Sequence, residues 1–484
     1  MSEHDLPLLP LILADVPGAL VRALGQEGVP VERFEPQTAA GRFVLFDSSR
    51  AACPELAPDQ VAIDVHGLRG SSTEDPFALL DDEQSRRVRW WVGHLAVSEE
   101  VSRVDKRAAR QQLLAGVRTL VETAGGIWLR TAAFPYPYRS AFNFRLDYDE
   151  YQAEDFATVL DIVARHQECF SHFVCAASFE NQPQALDRLR GLDVGSHGYW
   201  HHTYDDLLEN RRNVARGVAA LRAHGIEPSG FVAPHGRFNR GLLAVLQELG
   251  VGHSSEFGLA YDELPFYPVD SSVLQVPVHP ICLGICLEAA GESGGTGAPA
   301  LRAAADVLAE YFRWIATAKY QAGEPIFLYG HPEYRLGRFP QVLRGVLETV
   351  SQFAAVWKTT LSEFAAWWRA RAALRMRVYR DGDSFVIFVD EHLPGYRYGV
   401  EYWRGEHSAP MPLDETMVRF SPAALVFQGR KPRDLPTLVR LDQPIGLRSQ
   451  LLRYLDWEKV TPVDEIGTHH WRGWVKRTLR RIRE

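Results

Sequence analysis

Three histidines lie within six residues of one short segment of the sequence, His197, His201 and His202 in GSHGYWHHTY. Neutral imidazole is a preferred ligand of zinc and similar divalent ions. If the segment makes one helical turn, the spacing of four residues places His197 and His201 on one side, where both rings can approach a single ion. His202 then points elsewhere. A polar loop whose histidines form ordinary hydrogen bonds is the alternative.

Two further segments end in side chains that suit metal or acid-base chemistry. The run FNFRLDYD has strand character, and alternation along a strand places Asp147 and Asp149 on one face. Neighbouring carboxylates repel each other, so they normally share a cation or a proton. The apolar run PIFLYGH ends in His331. A solvated turn around Asp149 and Glu150, and a structural role for His331, are the alternatives.

Strand and helix patterns alternate through the region that carries these residues. From about residue 135 to 372, apolar runs typical of strands are separated by helical segments. This alternation predicts parallel strands in a barrel or an open sheet, with functional groups collected at the C-terminal ends of the strands. LDVG predicts a strand before His197, and Thr203 begins a capping-box pattern before a helix that ends near Gly225. The histidines therefore lie in a strand-to-helix loop.

Further domains are predicted on either side of this region. Residues 1–125 alternate short apolar strands with helical patterns, the clearest from Ser98 to Thr123, and predict an N-terminal α/β domain. Residues 373–460 contain strand-like runs separated by turn residues and predict a small β-rich domain. The overall prediction is an α/β protein with these two additions.

The last residues, 461–484, predict a basic amphipathic helix. In HHWRGWVKRTLRRIRE an apolar face that includes Trp471, Trp474 and Ile482 is flanked by arginines and a lysine. This composition is typical of a helix that lies on anionic membrane lipid. Docking of the tryptophans on the β-rich domain, or a frayed basic tail, is the alternative.

The composition of the chain indicates its number of domains, its partners and its compartment. With 484 residues, 46% of them hydrophobic, the chain has room for two or three domains. A net charge of -8 argues against a nucleic-acid partner. Five scattered cysteines without a CxxC pair favour a reducing compartment, and the apolar start has no basic segment typical of a signal peptide. We therefore expect a cytoplasmic protein, placed on the inner face of the cytoplasmic membrane if its last helix contacts lipid.

Taken in order, four segments resemble the motifs of the polysaccharide deacetylase family, the NodB homology domain of carbohydrate esterase family 4. The segments are FRLDYD, HGYWH, FVAPHG and FLYGH, and the resemblance covers about residues 135–370. It implies a distorted (β/α) barrel and one divalent metal ion, zinc or else cobalt or nickel. By their places in the motifs, Asp149, His197 and His201 would be the metal ligands.

The same resemblance implies three catalytic roles. Asp147 would be the base, His331 the general acid, and the backbone N–H of His235 would face the developing oxyanion. Because a tyrosine separates the two acids, the roles of Asp147 and Asp149 are open to exchange.

One departure from the family's pattern points to one of its branches. Val232 stands where the third motif usually has the arginine that supports the base. The form RxDxD followed by HxxxH is similar to the branch that includes the deformylase of lipid-linked aminoarabinose. In that pattern Arg145 supplies the missing positive charge, and a surface position for Arg145 is the alternative.

The resemblance implies hydrolysis of an amide. We expect a metal-dependent enzyme that removes an N-acyl group, acetyl first, from an amino sugar of a glycan or a lipid-linked glycan precursor. Tyr148, Tyr199, Trp200 and Tyr334 are candidates for stacking on sugar rings. Two alternatives stay open: hydrolysis of a non-sugar amide or cyclic imide on the same fold, and a catalytically silent glycan-binding protein.

Overall fold

The computed structural model describes residues 6–35, 41–70, 75–256, 264–390, 395–431, 439–440, 447–467 and 471–483. The strands are β1 (Leu11–Ala14), β2 (Val31–Arg33), β3 (Phe43–Phe46), β4 (Val61–Asp64), β5 (Ser85–Val92), β6 (Leu95–Ser102), β7 (Trp128–Thr131), β8 (Ser140–Tyr148), β9 (Phe170–Val174), β10 (Val194–Ser196), β11 (His253–Ser254), β12 (Leu274–Gln275), β13 (Ile326–Gly330), β14 (Val356–Lys358), β15 (Met376–Asp381), β16 (Ser384–Val389), β17 (Gly399–Arg404), β18 (His407–Pro412), β19 (Met417–Phe420), β20 (Gln428–Gly429) and β21 (Val439–Arg440). The helices are α1 (Gly18–Glu27), α2 (Pro76–Leu80), α3 (Lys106–Thr123), α4 (Ala153–Val163), α5 (Pro183–Asp187), α6 (Leu207–Ala223), α7 (Arg240–Glu248), α8 (Leu283–Glu292), α9 (Ala298–Ala322), α10 (Gln341–Ser351), α11 (Leu361–Ala373), α12 (Leu447–Tyr454) and α13 (Trp471–Arg483).

A parallel sheet carries the segments with candidate catalytic residues. β8 lies between β9 and β13 and pairs in parallel with both. β9 pairs with β10, and single bridges at Phe231 continue the series to β11, which pairs with β12. The N–H of His279, four residues beyond β12, donates to the carbonyl oxygen of Phe327 in β13 at 2.9 Å. The α/β class is confirmed, and the distorted barrel stays a prediction.

β8 is buried on both of its faces, as expected for a central strand of a parallel sheet. Its apolar residues, such as Phe142, Phe144 and Leu146, alternate with polar ones. Arg145 and Asp147 share a face and are both buried. Burial of two charged groups is costly unless they pair with each other. The position of Arg145 and Asp147 on one face of β8 therefore favours an ion pair between them.

The N-terminal residues contain a parallel sheet in the order β2-β1-β3-β4. The predicted helix from Ser98 to Thr123 is wrong at its start, because Leu95–Ser102 form β6, antiparallel to β5. α3 begins at Lys106, after the carboxylate of Asp105 accepts a hydrogen bond from the N–H of Ala108. Val101 fits the apolar spacing of a helix, but it lies in β6, where its side chain is on the buried face of the strand.

Antiparallel strands follow the parallel sheet in sequence. β15, β16 and β19 form one sheet, and β20, β18, β17 and β7 form another. β7 and β21 pair with strands far away in sequence, β17 and β5 respectively. Buried apolar side chains from all three predicted regions form one continuous cluster. The borders near residues 125, 135, 372 and 460 stay predictions.

The predicted C-terminal helix, 461–484, is present over Trp471–Arg483 as α13, but residues 461–467 contain only a short 3-10 turn at Val463–Glu465. Residues 468–470 and 484 of that prediction lie outside the described residues. Among the helices that the structure describes, none combines the length and the apolar character needed to cross a bilayer.

Candidate functional site

The histidine segment lies in the loop between β10 and α6, as predicted. One buried side chain of α6 holds this loop in place. Oδ1 of Asn213 accepts hydrogen bonds from the N–H groups of Tyr199 at 3.0 Å and Trp200 at 2.7 Å, and its Nδ2 donates to the carbonyl oxygen of His202 at 2.9 Å. These three bonds fix Tyr199, Trp200 and His202, and therefore leave the histidines of the segment little freedom.

The start of α6 differs from the predicted capping box. The carboxylate of Asp206, three residues after Thr203, accepts from the N–H groups of Leu208 and Glu209. Aspartate satisfies the unpaired donors of a first helical turn as well as threonine does.

Asp149, His197 and His201 come together at the end of β8. Oδ1 of Asp149 is 3.3 Å from Nε2 of His197 and 3.1 Å from Nε2 of His201. One ligand atom from each residue lies within 4.8 Å of the other two. Nδ1 of His197 is 2.8 Å from the carbonyl oxygen of Val232, to which it donates, so Nε2 is left as the ligand nitrogen.

The surroundings of Asp149 suit a bound cation. Its Oδ1 is buried and has no hydrogen-bond partner within the described ranges, although two imidazole nitrogens are near. Burial opposes its ionisation, but the electrostatic interaction of the carboxylate with the neighbouring rings of His331 and His201 holds the pKa of Asp149 well below its usual value. One carboxylate and two imidazoles are a donor set typical of zinc enzymes. Asp149, His197 and His201 can therefore hold one divalent ion.

Arg145 and Asp147 form a buried ion pair beside these three residues. Nη2 of Arg145 donates to Oδ2 of Asp147 at 2.7 Å, and Nη1 donates to Oγ of Ser255 at 3.0 Å. The guanidinium lies over the ring of Tyr329 at 4.7 Å. Arg145 is only 1% exposed, so the surface position considered for it is wrong. Oδ1 of Asp147 is buried and has no hydrogen-bond partner among the residues described.

Two further histidines complete the group. Nε2 of His331 is 3.5 Å from Oδ2 of Asp149, and burial lowers the pKa of His331 to about 4. The ring of His235 is 4.6 Å from that of His201. Burial, followed by the charge of His201, lowers the pKa of His235 to about 3, so both rings are neutral at pH 7. The backbone of His235 has a positive φ of 60°, which turns the loop sharply at this residue.

All seven residues predicted for the site line one cavity of about 650 Å³. The structure therefore brings together side chains that lie up to 186 positions apart, from Arg145 to His331. The cavity is within the range of roughly 300–1,000 Å³ usual for small-molecule sites.

Glu333 and Arg335 contact the site but had no predicted role. Oε1 of Glu333 accepts from the N–H of Asp149 at 3.2 Å, and burial and the charge of Asp149 raise the pKa of Glu333 to about 9. Nη1 of Arg335 is 3.6 Å from Oδ2 of Asp149. Both follow His331 directly in HPEYR, and charged residues just after a motif at a strand end were the available signal.

Glu256 was also missed. It is buried after β11, and its Oε1 accepts from the N–H of Ala233 at 3.1 Å and from the hydroxyl of Ser254. This bond holds the loop that carries His235. The two-residue strand before it, β11, is too short to produce an alternation pattern in the sequence.

The aromatic candidates for sugar stacking separate into two groups. Tyr148 is fully buried and its hydroxyl lies 2.8 Å from Nδ1 of His172, so its predicted contact with sugar is wrong. Tyr199 is also buried, and its ring packs against Trp200. Trp200 lines the cavity, and Tyr334 is exposed.

Comparison with protein families gives a match over the part of the chain that forms this site. Residues 144–253 match the polysaccharide deacetylase family model. The matched segment contains the acids of β8 and the histidine loop, and it ends before His331. The polysaccharide deacetylase resemblance read from the motifs is confirmed for this segment. The branch of lipid-linked aminoarabinose deformylase stays a prediction.

Solved structures with weak similarity align with about half of the chain. A Mycobacterium smegmatis protein assigned as a polysaccharide deacetylase is 21% identical, with a TM-score of 0.42, over 52% of this chain and 97% of its own. A Pseudomonas aeruginosa protein with the same assignment is 16% identical, with a TM-score of 0.40, over 48% of this chain and 91% of its own. The chitin deacetylase of Colletotrichum lindemuthianum is 16% identical, with a TM-score of 0.33, over 48% and 92%. A search of curated proteins gave no match.

Proposed function

We propose that this protein is a metal-dependent amide hydrolase that removes an N-acyl group, acetyl first, from an amino sugar of a glycan or lipid-linked glycan precursor. The observation that carries the proposal is the convergence of Asp149, His197 and His201 beside the buried Arg145–Asp147 pair in one cavity. The first three are a metal-ligand set, and the pair is an acid-base group with one unpaired carboxylate oxygen.

Each residue has a distinct part in the proposed reaction. A divalent ion held by Asp149, His197 and His201 would polarise the amide carbonyl and make a water more acidic. Asp147 takes the proton of the attacking water through its free Oδ1, while Arg145 fixes the other oxygen.

The departing amine needs a proton, which we assign to His331. Because burial keeps the pKa of His331 at about 4, the ring is neutral at pH 7 and must first receive the proton that Asp147 has taken. The backbone N–H of His235, in the loop held by Glu256, is proposed to stabilise the negative charge on the carbonyl oxygen.

The C-terminal helix supports a lipid-linked substrate. On α13 the apolar side chains of Trp474 and Ile482 are 60% and 76% exposed, whereas Lys476 is buried against Glu458. The helix therefore presents tryptophan and isoleucine outward, with arginines beside them. Val460, which precedes α13 by eleven residues in the sequence, lines the candidate catalytic cavity. We place the protein in the cytoplasm, in peripheral contact with anionic lipid.

Release of the acyl group tests the substrate class. The full-length protein is loaded with zinc, cobalt or nickel and offered N-acetylated and N-formylated amino sugars, free and lipid-linked, with a non-sugar amide and a cyclic imide as comparison substrates. The proposal expects acetate or formate from the sugars alone.

Two results would redirect the assignment. Turnover of the cyclic imide or the plain amide, with none of the sugars, would move the activity to a non-sugar substrate on the same site. Binding of the sugars without release of acid from any of them, at every metal, would mean a silent glycan-binding protein.

A further inference from the structure

A second cavity, of about 400 Å³, lies where α3, β7, α11 and β17 meet. Among the residues described, it shares no lining residue with the candidate catalytic cavity. Six arginines and Lys431 line it, against three glutamates, in a chain whose net charge is -8. We call it the basic cavity. Its concentration of positive charge runs against the balance of the whole molecule.

Three of its arginines come from one face of α3. Arg107, Arg110 and Arg118 are separated by 3 and 8 positions, which returns all three to one side of the helix. The inner two have carboxylate partners, Glu324 for Arg107 and Glu27 for Arg110. Arg118 meets only Glu406 among the described carboxylates.

The pair of Arg118 with Glu406 is a weak one. Its atoms are 3.3 Å apart, and the side chain of Glu406 is 88% exposed. The side chain of Arg118 is 13% exposed, but water and salt screen its exposed partner, so this pair holds Arg118 less tightly than a buried carboxylate would. The charge of Arg118 is therefore largely available to a ligand in the cavity.

One tryptophan ring gathers three of the cations. The guanidinium carbons of Arg130, Arg430 and Arg118 lie 4.4, 5.4 and 5.8 Å from the centre of the Trp403 ring. Glu401 accepts from Arg130 at 2.8 Å and from Arg430 at 2.6 Å. Glu27 also pairs with Arg130, so two carboxylates and one ring hold these three like charges together, and an excess of positive charge remains in the cavity.

A fourth guanidinium adds to this excess. In the described part of the chain, Arg371 forms no ion pair and donates to the main-chain carbonyls of Gln26, Glu27, Thr131 and Ala132. Burial, followed by the charge of Arg130, lowers the pKa of Arg371 to about 9. It is still charged at neutral pH, so the floor of the cavity repels cations and attracts anions.

We propose that the basic cavity binds the diphosphate group of a small-molecule ligand. Planar guanidinium groups match phosphate oxygens in pairs, and several such groups need a multivalent anion to balance them. A lone carboxylate or a single phosphate would leave part of the charge uncompensated. The volume of the basic cavity suits a small molecule. Arg430 is half-buried and Lys431 is exposed, so the opening of the cavity can be reached from solvent. This inference does not rest on the proposed hydrolase activity.

Calorimetric titration of the full-length protein tests this site, with inorganic pyrophosphate, orthophosphate and a nucleoside diphosphate as probes. We expect saturable binding of pyrophosphate and of the nucleoside diphosphate, and binding of orthophosphate at least tenfold weaker. In Arg118→Gln/Lys431→Gln the dissociation constant for pyrophosphate should rise at least tenfold. The matched control Arg302→Gln/Arg344→Gln, two exposed arginines of α9 and α10, should bind as the unchanged protein does.

Two more variants keep the test decisive. Arg118→Lys preserves the charge and the fold but not the planar group, and should show a smaller loss than the double variant. His201→Ala, which removes a candidate metal ligand, should bind pyrophosphate unchanged, so failure of the hydrolase proposal and failure of this one are distinguishable. No saturable pyrophosphate binding, equal binding by the double variant and its control, or equal binding of orthophosphate would overturn the proposal.

Discussion

Asp147 and Asp149 stand two positions apart on one strand end, yet their surroundings separate their chemistry. Asp147 is tied through Oδ2 to Arg145 and keeps Oδ1 unpaired within the residues described. Asp149 faces the Nε2 atoms of His197 and His201. A base must be ionised and close to water, whereas a ligand acts through its bond to the ion. The geometry therefore favours Asp147 as base and Asp149 as ligand.

Substitution of each acid by its amide separates the two roles. Asp147→Asn should keep the metal content but lower kcat by about 10²–10⁴-fold, the usual contribution of a general base. Asp149→Asn should lower metal affinity. Metal content and kcat are measured on the same preparations, and His331→Ala should resemble the base variant. The opposite pattern would mean that the roles of the two acids are exchanged.

Arg145 is a positioning residue in this account, and its signature is a loss of kcat without a loss of metal. Nη2 of the guanidinium holds Oδ2 of Asp147 at 2.7 Å. Arg145→Met should therefore lower kcat while KM and metal content stay close to those of the unchanged protein, and Arg145→Lys should restore part of kcat. A methionine variant that loses metal content and free energy of unfolding in step with its activity would give Arg145 a structural role only.

At the scale of elements, the orientation of α13 is set by buried charges. The carboxylate of Glu458 lies 3.1 Å from Nη2 of Arg480 and 3.8 Å from Nζ of Lys476. Lys476 also donates a hydrogen bond to the carbonyl oxygen of Asp456 at 3.2 Å. These contacts turn two basic residues of the helix inward. The face with Trp474 is left to solvent, which is the orientation that an interfacial helix requires.

Point substitutions on the exposed face test the lipid contact without unfolding the helix. Trp474→Ala/Ile482→Ala should reduce co-sedimentation with vesicles that contain anionic lipid, and binding of the unchanged protein should fall with salt. Trp91→Ala is the matched control, because Trp91 on β5 is 56% exposed, close to the 60% of Trp474. Equal sedimentation of the double variant and the control would remove the membrane contact.

The elements differ in how far the sequence could predict them. Local spacing was enough for Arg145 and Asp147 on one face of β8, and for the histidine loop before α6, whereas Asp149 lies in a bend just after β8 and not on the strand face predicted for it. It was not enough at Ser98, where the same apolar spacing fits a strand edge and a helix start and only the pairing with β5 decides. Glu333 meets Asp149 across 184 positions, so no local pattern announces that contact.

At the scale of the molecule, a buried ion-pair cluster joins strands that are far apart in sequence. Glu401 on β17 lies between Arg130 on the paired strand β7 and Arg430. Burial opposes ionisation, but Arg430 and Arg130 lower the pKa of Glu401 to about 2. Because this pKa is below the ordinary value, the cluster stabilises the fold above about pH 4.5 and loses that contribution as the pH falls towards 2.

Removal of the shared carboxylate should destabilise the whole fold. Glu401→Gln removes the carboxylate shared by the buried Arg130 and the half-buried Arg430, although Arg130 keeps its pair with Glu27. We expect a loss of about 3 kcal/mol in the free energy of unfolding at pH 7. The gap between variant and unchanged protein should narrow at pH 3, where the unchanged protein has begun to lose the same contribution. Denaturant unfolding measures both, with the exposed Glu406→Gln as control. A gap that is absent at pH 7 or that widens in acid contradicts this reading.

The central claim is that Asp149, His197 and His201 hold the ion on which hydrolysis depends. Its most direct test is a titration of metal-free protein with a divalent ion while acyl release from an N-acylated amino sugar is followed. We predict that activity rises in proportion to added metal and stops rising at about one ion per chain. His201→Ala should bind no ion with this affinity and stay inactive, while His94→Ala, an exposed histidine, should behave normally. Activity without metal, or unchanged metal binding by His201→Ala, would contradict the account.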